Sequence, residues 1–364
     1  MLFSFKQKSQ DFIVEEELPF QLSWKWDALF VYFEKRNLST MDIIKFLCKQ
    51  LNISRLTLWF AWLKDKDAIT RQRVSIYKSA LNKIWWENNF LNTLSQKTRI
   101  IKTSRHHQPI GMTTHINNTF HIRLRANKNL SQIEIKNIQT LIPKLFKTWF
   151  PNSFGKQRFW IDSKNRQIGK DILDSKIILK EKFESKFKLQ SYASRLFNQY
   201  LDIRTKWGIS LLDWDIVNIQ PNTLWYFDQT QNSIKIIQNN KFNKDYFYYP
   251  NQIKEEIKNQ SDLQLNITWP IIWNNLLCPL VETQSWKLEK SFLESNNINS
   301  KAIKIFSDNK IFWLRRNLWT RPHKSKYRRD WQDLLIDFTL DSGVYASVFI
   351  DILLKSLSKI KNSQ

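Results

Sequence analysis

Glycine is nearly missing from this chain: five residues in 364, where an ordinary protein carries about 7%. Turns that require a positive φ therefore have few residues able to adopt one without strain. Cysteine is equally scarce. Cys48 and Cys278 cannot form a disulfide framework or a cysteine-based metal site, and their rarity fits a reducing compartment. No apolar run approaches the ~18 residues that cross a bilayer, and the lysine-bearing start, Met1 to Asp11, lacks the apolar core of a secretion signal. The reading expects a cytoplasmic protein without a membrane partner. Acidic residues are in the minority, 33 against 57 Lys plus Arg, for a net charge of +24. A charge of that size suits a polyanionic partner whose counterions are released on binding.

What the chain has in abundance is flat rings: 17 Trp, 25 Phe and 10 Tyr. Unstacked RNA bases are held by such rings, and rings combined with basic charge point to nucleic acid. A hydrophobic share of 42% is that of a globular protein, and the length allows two domains with their own cores.

Alternating apolar positions predict strands at residues 11–18, 28–35, 56–60, 69–77, 119–125 and 334–340. Ser39 followed by Asp42 reads as a capping box that opens a helix through about Leu51. Residues 131–149 form a second amphipathic helix, and further helices are expected near 189–204 and 344–357. The texture changes at about Leu179, where Asn- and Lys-rich segments with scattered tyrosines run to about Ser300. That order suggests a β-rich catalytic domain interrupted by an inserted one, with limits 1–176, 177–300 and 301–364.

Two segments stand out chemically. The first is Ala61-Trp62-Leu63-Lys64-Asp65-Lys66-Asp67-Ala68-Ile69-Thr70-Arg71-Gln72, a charged loop running from one strand into the next. The second is Pro151-Asn152-Ser153-Phe154-Gly155-Lys156-Gln157-Arg158-Phe159-Trp160. The first resembles the signature of the TruD family of tRNA pseudouridine synthases, roughly A-G-x-K-D-[KR]-x-A-[VI]-T-x-Q. The second is similar to that family's P-N-Y-F-G-x-Q-R-F-G, departing at Ser153 and Trp160. Smaller matches follow in order along nearly the whole chain: Phe12 with Glu16, Lys35 with Thr40, Ser191 to Asn198, Leu211 to Asp215, and Gly343 to Ser347.

The resemblance implies a pseudouridine-synthase α+β fold, with a mixed, mainly antiparallel sheet interrupted by an inserted α/β domain. It implies the isomerisation of uridine to pseudouridine in tRNA, at position 13. That reaction breaks the N1–C1′ bond and rejoins the base through C5, so no metal or other cofactor is expected. The site must supply a carboxylate at the sugar, a cation that keeps it ionised and a slot for the extruded base. Asp65 takes the role of the carboxylate, as nucleophile or as C2′ base, and Lys6 that of the cation. Asn152 would hydrogen-bond the uracil edge and Phe154 would stack on it. Tyr345, Glu16 and Arg158 complete the expected substrate contacts. Arg315, Arg316 and Lys324, from a dense basic run, are assigned to the RNA backbone. A monomer acting on tRNA is expected. The competing readings are a catalytically inactive RNA-binding protein on the same scaffold, a metal-dependent nuclease using Asp65 with Asp67, and a structural basic protein with no defined RNA site; no other carboxylate or histidine cluster has ligand spacing to support the nuclease.

The scarcity of glycine has a counterpart here. Trp24, Trp26, Trp62, Trp160, Trp214, Trp269, Trp273 and Trp313 all fall where the family pattern has glycine, whereas Trp225, Trp319 and Trp331 do not. Independent drift does not replace one residue by the same other residue at eight turn positions. The expectation is that the source decodes UGA as glycine, and that these letters come from reading UGA as tryptophan.

Overall fold

The computed structural model describes the chain except for residues 19, 24–26, 62–63, 65–67, 85, 112–116, 160–163, 180–181, 207–210, 213–214, 221–222, 229–232, 239–240, 249–265, 271–278, 280, 310, 312–314 and 361–364. Asp65 lies outside the described residues, and so do seven of the eight tryptophans at glycine positions, Trp269 being the exception. Two compact units emerge: residues 1–147 with 322–346 and 350–364, and residues 148–321 with 347–349. These units are cut at different places from the limits 177 and 300 read from the sequence. The reason is packing: helix Lys164–Leu173 lies against helix Lys182–Lys206, which draws residues 148–176 to the second unit.

The first unit is built on a nine-stranded sheet. Its path runs through strands His323–Asp330, Asp333–Asp341, Asn117–Ala126, Phe12–Glu17, Ile69–Tyr77, Ala28–Arg36 and Arg99–His106. Every neighbouring pair on this path is antiparallel except Phe12–Glu17 with Ile69–Tyr77, which is parallel. Alternation sends Leu29, Val31, Phe33, Val74 and Ile76 to one face, where they pack on Ile43, Ile44 and Leu47 of helix Thr40–Leu51. Each such buried side chain contributes roughly 1.5–3 kcal/mol. The helix starts where the sequence says: Ser39 Oγ accepts from Asp42 N at 3.1 Å, and Asp42 Oδ2 accepts from Ser39 N at 3.0 Å. It stops at Asn52, which turns left-handed with φ 50.

The opposite face carries a row of charges, one from each strand of the path. Arg99 and Arg71 each lie 3.0 Å from Glu34, and Arg71 also pairs with Glu15. His121 stands between Glu15 at 3.7 Å and Asp337 at 2.6 Å, and Asp337 meets Lys326 at 3.5 Å. Cross-strand neighbours of opposite sign support the register of such a sheet. Although Glu34 is only 3% exposed, its carboxyl sits below its ordinary pKa. Burial opposes ionisation, but hydrogen bonds from Arg71, Arg36 and Arg99 outweigh it.

The second unit has its own core around the 25-residue helix Lys182–Lys206. Leu189, Tyr192, Leu196, Phe197 and Tyr200 pack with Ile172, Trp269 and Phe292. Helix Lys164–Leu173 approaches so closely at Gly169 that an added Cβ would stand 2.3 Å from the Lys188 carbonyl oxygen, a contact only glycine permits. A six-stranded sheet runs in the order Lys241–Tyr248, Ser233–Gln238, Thr223–Asp228, Ile216–Gln220, Asn266–Pro270, Arg315–Asn317. Two ion pairs are buried beside it: Arg204 with Asp215 at 2.8 Å, and Arg315 with Glu289 at 2.5 Å.

Candidate active site

In the first unit, the segment that leads to Asp65 is anchored just before it. The Lys64 amide donates to Thr40 Oγ1 at 3.0 Å, and the same hydroxyl donates to Gln72 Oε1 at 2.9 Å. Thr40 and Gln72 are each 1% exposed, so the triangle is dry and its geometry well defined. The Lys64 ammonium is held as well, by Asn118 Oδ1 at 2.5 Å and Glu16 Oε1 at 3.5 Å. The second oxygen of Glu16 accepts from Arg73 N at 3.1 Å, and Arg73 Nη1 donates to the Glu16 carbonyl at 2.7 Å. Glu16 reaches these partners because alternation along Phe12–Glu17 turns Phe12, Val14 and Glu16 inward together.

Lys6 sits at φ 62, in the left-handed region, with its ammonium 5.0 Å from the centre of the Phe12 ring. It lines a pocket of about 310 Å³ together with Gln7, Lys8, Ser9 and Asn37. Tyr345 is the N-cap of helix Ala346–Lys359 and follows the turn at Gly343, whose φ is 82.

In the second unit, the Asn152–Gly155 loop is braced from two sides. From helix Lys182–Lys206, Asn198 Oδ1 accepts from Phe154 N at 2.8 Å while its Nδ2 donates to Phe154 O at 3.0 Å. One side-chain amide thus pairs with a backbone unit as a neighbouring strand would. From the same helix, Ser194 Oγ and Gln190 Oε1 accept from the Arg158 guanidinium at 3.1 and 3.4 Å. Arg158 therefore braces the loop. On the other side, Arg316 donates to Asn152 O at 3.1 Å and to Asn152 Oδ1 at 2.5 Å, and its guanidinium lies 4.3 Å from the centre of the Phe154 ring. Asn152 Nδ2 donates to the Asn317 carbonyl at 2.9 Å.

These contacts alter how several expected site residues are understood. Asn152 is 4% exposed and both ends of its amide are engaged within the protein. Phe154 is half-buried, meeting Phe197 edge-on at 5.4 Å. Arg315 is not a backbone-facing cation: its side chain is 1% exposed and its charge is neutralised by Glu289. Arg316 is drawn inward as a brace. Lys324 remains exposed, at φ 49 in an irregular stretch of its strand, 3.0 Å from Glu17. Lys6, Glu16, Tyr345 and Lys324 belong to the first unit, and Asn152, Phe154, Arg158, Arg315 and Arg316 to the second. The sequence reading missed Asn198 and Ser194 as partners of the loop, and Lys64 as the anchored residue. The signal for the first two was the Ser191–Asn198 match, whose polar residues recur at 191, 194 and 198 on one helical face.

Among the described residues no group of His, Cys, Asp and Glu could hold a metal ion, and no helix is long and apolar enough to cross a membrane.

Among the described residues, the first unit's mixed, mainly antiparallel sheet with its one parallel pair is the arrangement expected of a pseudouridine synthase. The family model for tRNA pseudouridine synthase D (TruD) matches residues 3–187, just over half of the chain. A tRNA pseudouridine synthase D of Helicobacter hepaticus is 27% identical over 97% of this chain and 93% of its own length. One of Nitratiruptor sp. is 29% identical over 96% and 94%. A crystal structure assigned to tRNA pseudouridine synthase D from Methanosarcina mazei superposes with a TM-score of 0.60 at 16% identity, covering 96% of this chain and 92% of that one. The chain belongs to the TruD family.

Proposed function

We propose that the protein converts uridine to pseudouridine in tRNA, at position 13, with Asp65 as its catalytic carboxylate. The glycosidic N1–C1′ bond breaks, the detached uracil turns, and C5 bonds to C1′. The C5 proton leaves and N1 gains a proton, so the reaction needs no redox partner. Asp65 acts at the ribose, either by attack or by removing the C2′ proton, and Lys6 supplies the neighbouring positive charge. Asn152, Phe154 and Tyr345 are assigned to contact the extruded base. The enzyme works as a monomer in the cytoplasm, with tRNA as its partner.

The observation that carries this reading is the treatment of Lys64, directly before Asp65. Three contacts fix its backbone and its ammonium, a degree of fixation that a solvated charged turn does not need. The test is incubation with total tRNA followed by pseudouridine mapping, wild type against Asp65→Ala. Conversion of one uridine by the wild type and none by the variant is expected. Equal conversion by both, or none by either with RNA binding retained, overturns the proposal.

A further inference from the structure

We propose that Glu16 is a positioning residue for the catalytic loop: it holds Lys64 and thereby sets where Asp65 begins, without touching the uridine. This rests on the assignment of Asp65. Glu16 is 4% exposed, and its side chain in the pair with Lys64 is 1% exposed. One carboxylate oxygen faces the Lys64 ammonium and the other accepts the Arg73 amide. Glu16 and Arg73 lie on the neighbouring strands Phe12–Glu17 and Ile69–Tyr77, the sole parallel pair on the sheet path. Asn118, in register with Glu16 on the adjacent strand, takes the same ammonium. Three strands thus each contribute one group to holding Lys64: Glu16, Asn118, and Gln72 through Thr40. A lysine buried this deeply would cost heavily without a counter-charge, so Glu16 is what allows Lys64 to be pinned there.

The test uses the full chain and tRNA. Glu16→Gln, Lys64→Met and the double variant are compared for kcat, KM and tRNA affinity, with affinity measured in an Asp65→Asn background. Misplacing a reacting group by about 1 Å costs on the order of 10²-fold, so each single variant should lose about 10²-fold in kcat with KM and affinity unchanged. The double variant should lose no more than either single one, because both remove the same link. A raised KM with kcat retained, or additive losses, overturns the proposal. Should Glu16→Gln fail to fold, the Thr40 pair decides: Thr40→Val should lose kcat, and Thr40→Ser, which keeps the hydroxyl, should restore it. A wild-type enzyme without pseudouridine activity would instead defeat the functional reading.

A second inference stands on backbone geometry alone. The structure assigns glycine conformations to residues 86 and 331, and we infer that the cellular polypeptide carries glycine at both. Trp86 has φ 81 and ψ 174, a region essentially reserved for glycine, and its side chain is 63% exposed. Trp331 has φ 56 and is 83% exposed. It is the first residue of the two-residue turn between the paired Asp330 and Asp333. Of the two central residues only it has positive φ, the type II′ arrangement that takes glycine in that place. The sequence pattern had marked neither residue. Trp319 provides the contrast: it is 7% exposed, within a strand, with no positive φ.

The codons decide first. UGA at 86 and 331 with UGG at 319 is expected. Peptide mass spectrometry of native material should then show glycine at the first two positions and tryptophan at the third. Tryptophan at 86 and 331 would overturn the inference. Recombinant Trp86→Gly and Trp331→Gly provide an independent readout: relief of strain should raise Tm by about 2–4 °C each, and a fall would count against it.

Discussion

Arg316 separates two views of how this protein uses its basic residues. As a phosphate contact, it would be replaceable by lysine, which binds phosphate as a point charge. As a brace, it would not, because only a planar fork can bond Asn152 O and Oδ1 together while lying 4.3 Å over the Phe154 ring. A charge-assisted hydrogen bond is worth about 1.5–3 kcal/mol and the guanidinium–ring contact about 0.5–2 kcal/mol. These contributions overlap, so Arg316→Ala should cost the second unit about 3–4 kcal/mol, and Arg316→Lys about 2 kcal/mol. Both should lower kcat by about 10²-fold through displacement of the loop. The deciding assay is tRNA affinity against salt. One lost phosphate contact reduces the slope of log K against log salt by about 0.9, whereas a lost brace leaves it unchanged. A shallower slope for Arg316→Ala, together with full recovery by Arg316→Lys, would refute the brace.

Other perturbations test neighbouring claims. Asn198→Leu removes both bonds to the Phe154 backbone and should cost about 2 kcal/mol, with kcat falling more than tRNA affinity in steady-state and filter-binding assays. Glu34 has a lowered folded pKa, so its contribution is complete above the ordinary carboxylate range and vanishes as pH falls through the lowered value. Glu34→Gln should therefore cost about 1 kcal/mol at neutral pH, screened by its half-exposed arginines, and nothing in strong acid, as read by urea unfolding across pH. Replacing Lys326 and Arg328 by threonine should promote association in sedimentation experiments if they guard a sheet edge, while leaving the salt slope of tRNA binding intact.

The fold was legible wherever a strand alternated or a helix had a cap. Residues 28–35 and 69–77 emerge as strands Ala28–Arg36 and Ile69–Tyr77, and Ser39 with Asp42 caps the first helix as expected. Residues 56–60 fared less well. Only Leu58–Trp59 pair as strand, because Ser54 caps a turn of 3-10 helix over Arg55–Thr57 that takes up the preceding residues. The site motifs were legible as positions, but their roles were not. Asn152 and Phe154 were expected to face a uracil, yet the side chains that grip them, Asn198 and Arg316, lie 44 and 164 residues away from their partners. No local pattern encodes such pairings; only the packing of helix Lys182–Lys206 and strand Arg315–Asn317 against the loop reveals them.

The Lys- and Arg-rich stretches around residues 99–106 and 323–330 are the strands Arg99–His106 and His323–Asp330. They occupy the two ends of the sheet path. Edge strands bristle with Lys and Arg because charge prevents one sheet from pairing with another, and the same charges hide the period-two signal that would have identified them. The number of basic residues is therefore a generous guide to RNA contact. Arg71 and Arg99 are engaged by Glu34, Arg125 by Asp11 at 2.7 Å, Arg204 by Asp215 and Arg315 by Glu289. Each counts among the 57 Lys and Arg, is offset in the net charge by its carboxylate partner, and offers no free cation to a phosphate. The salt slope measured for tRNA should consequently correspond to far fewer contacts than the 57 Lys and Arg would suggest, and substitutions at these paired arginines should change stability rather than slope.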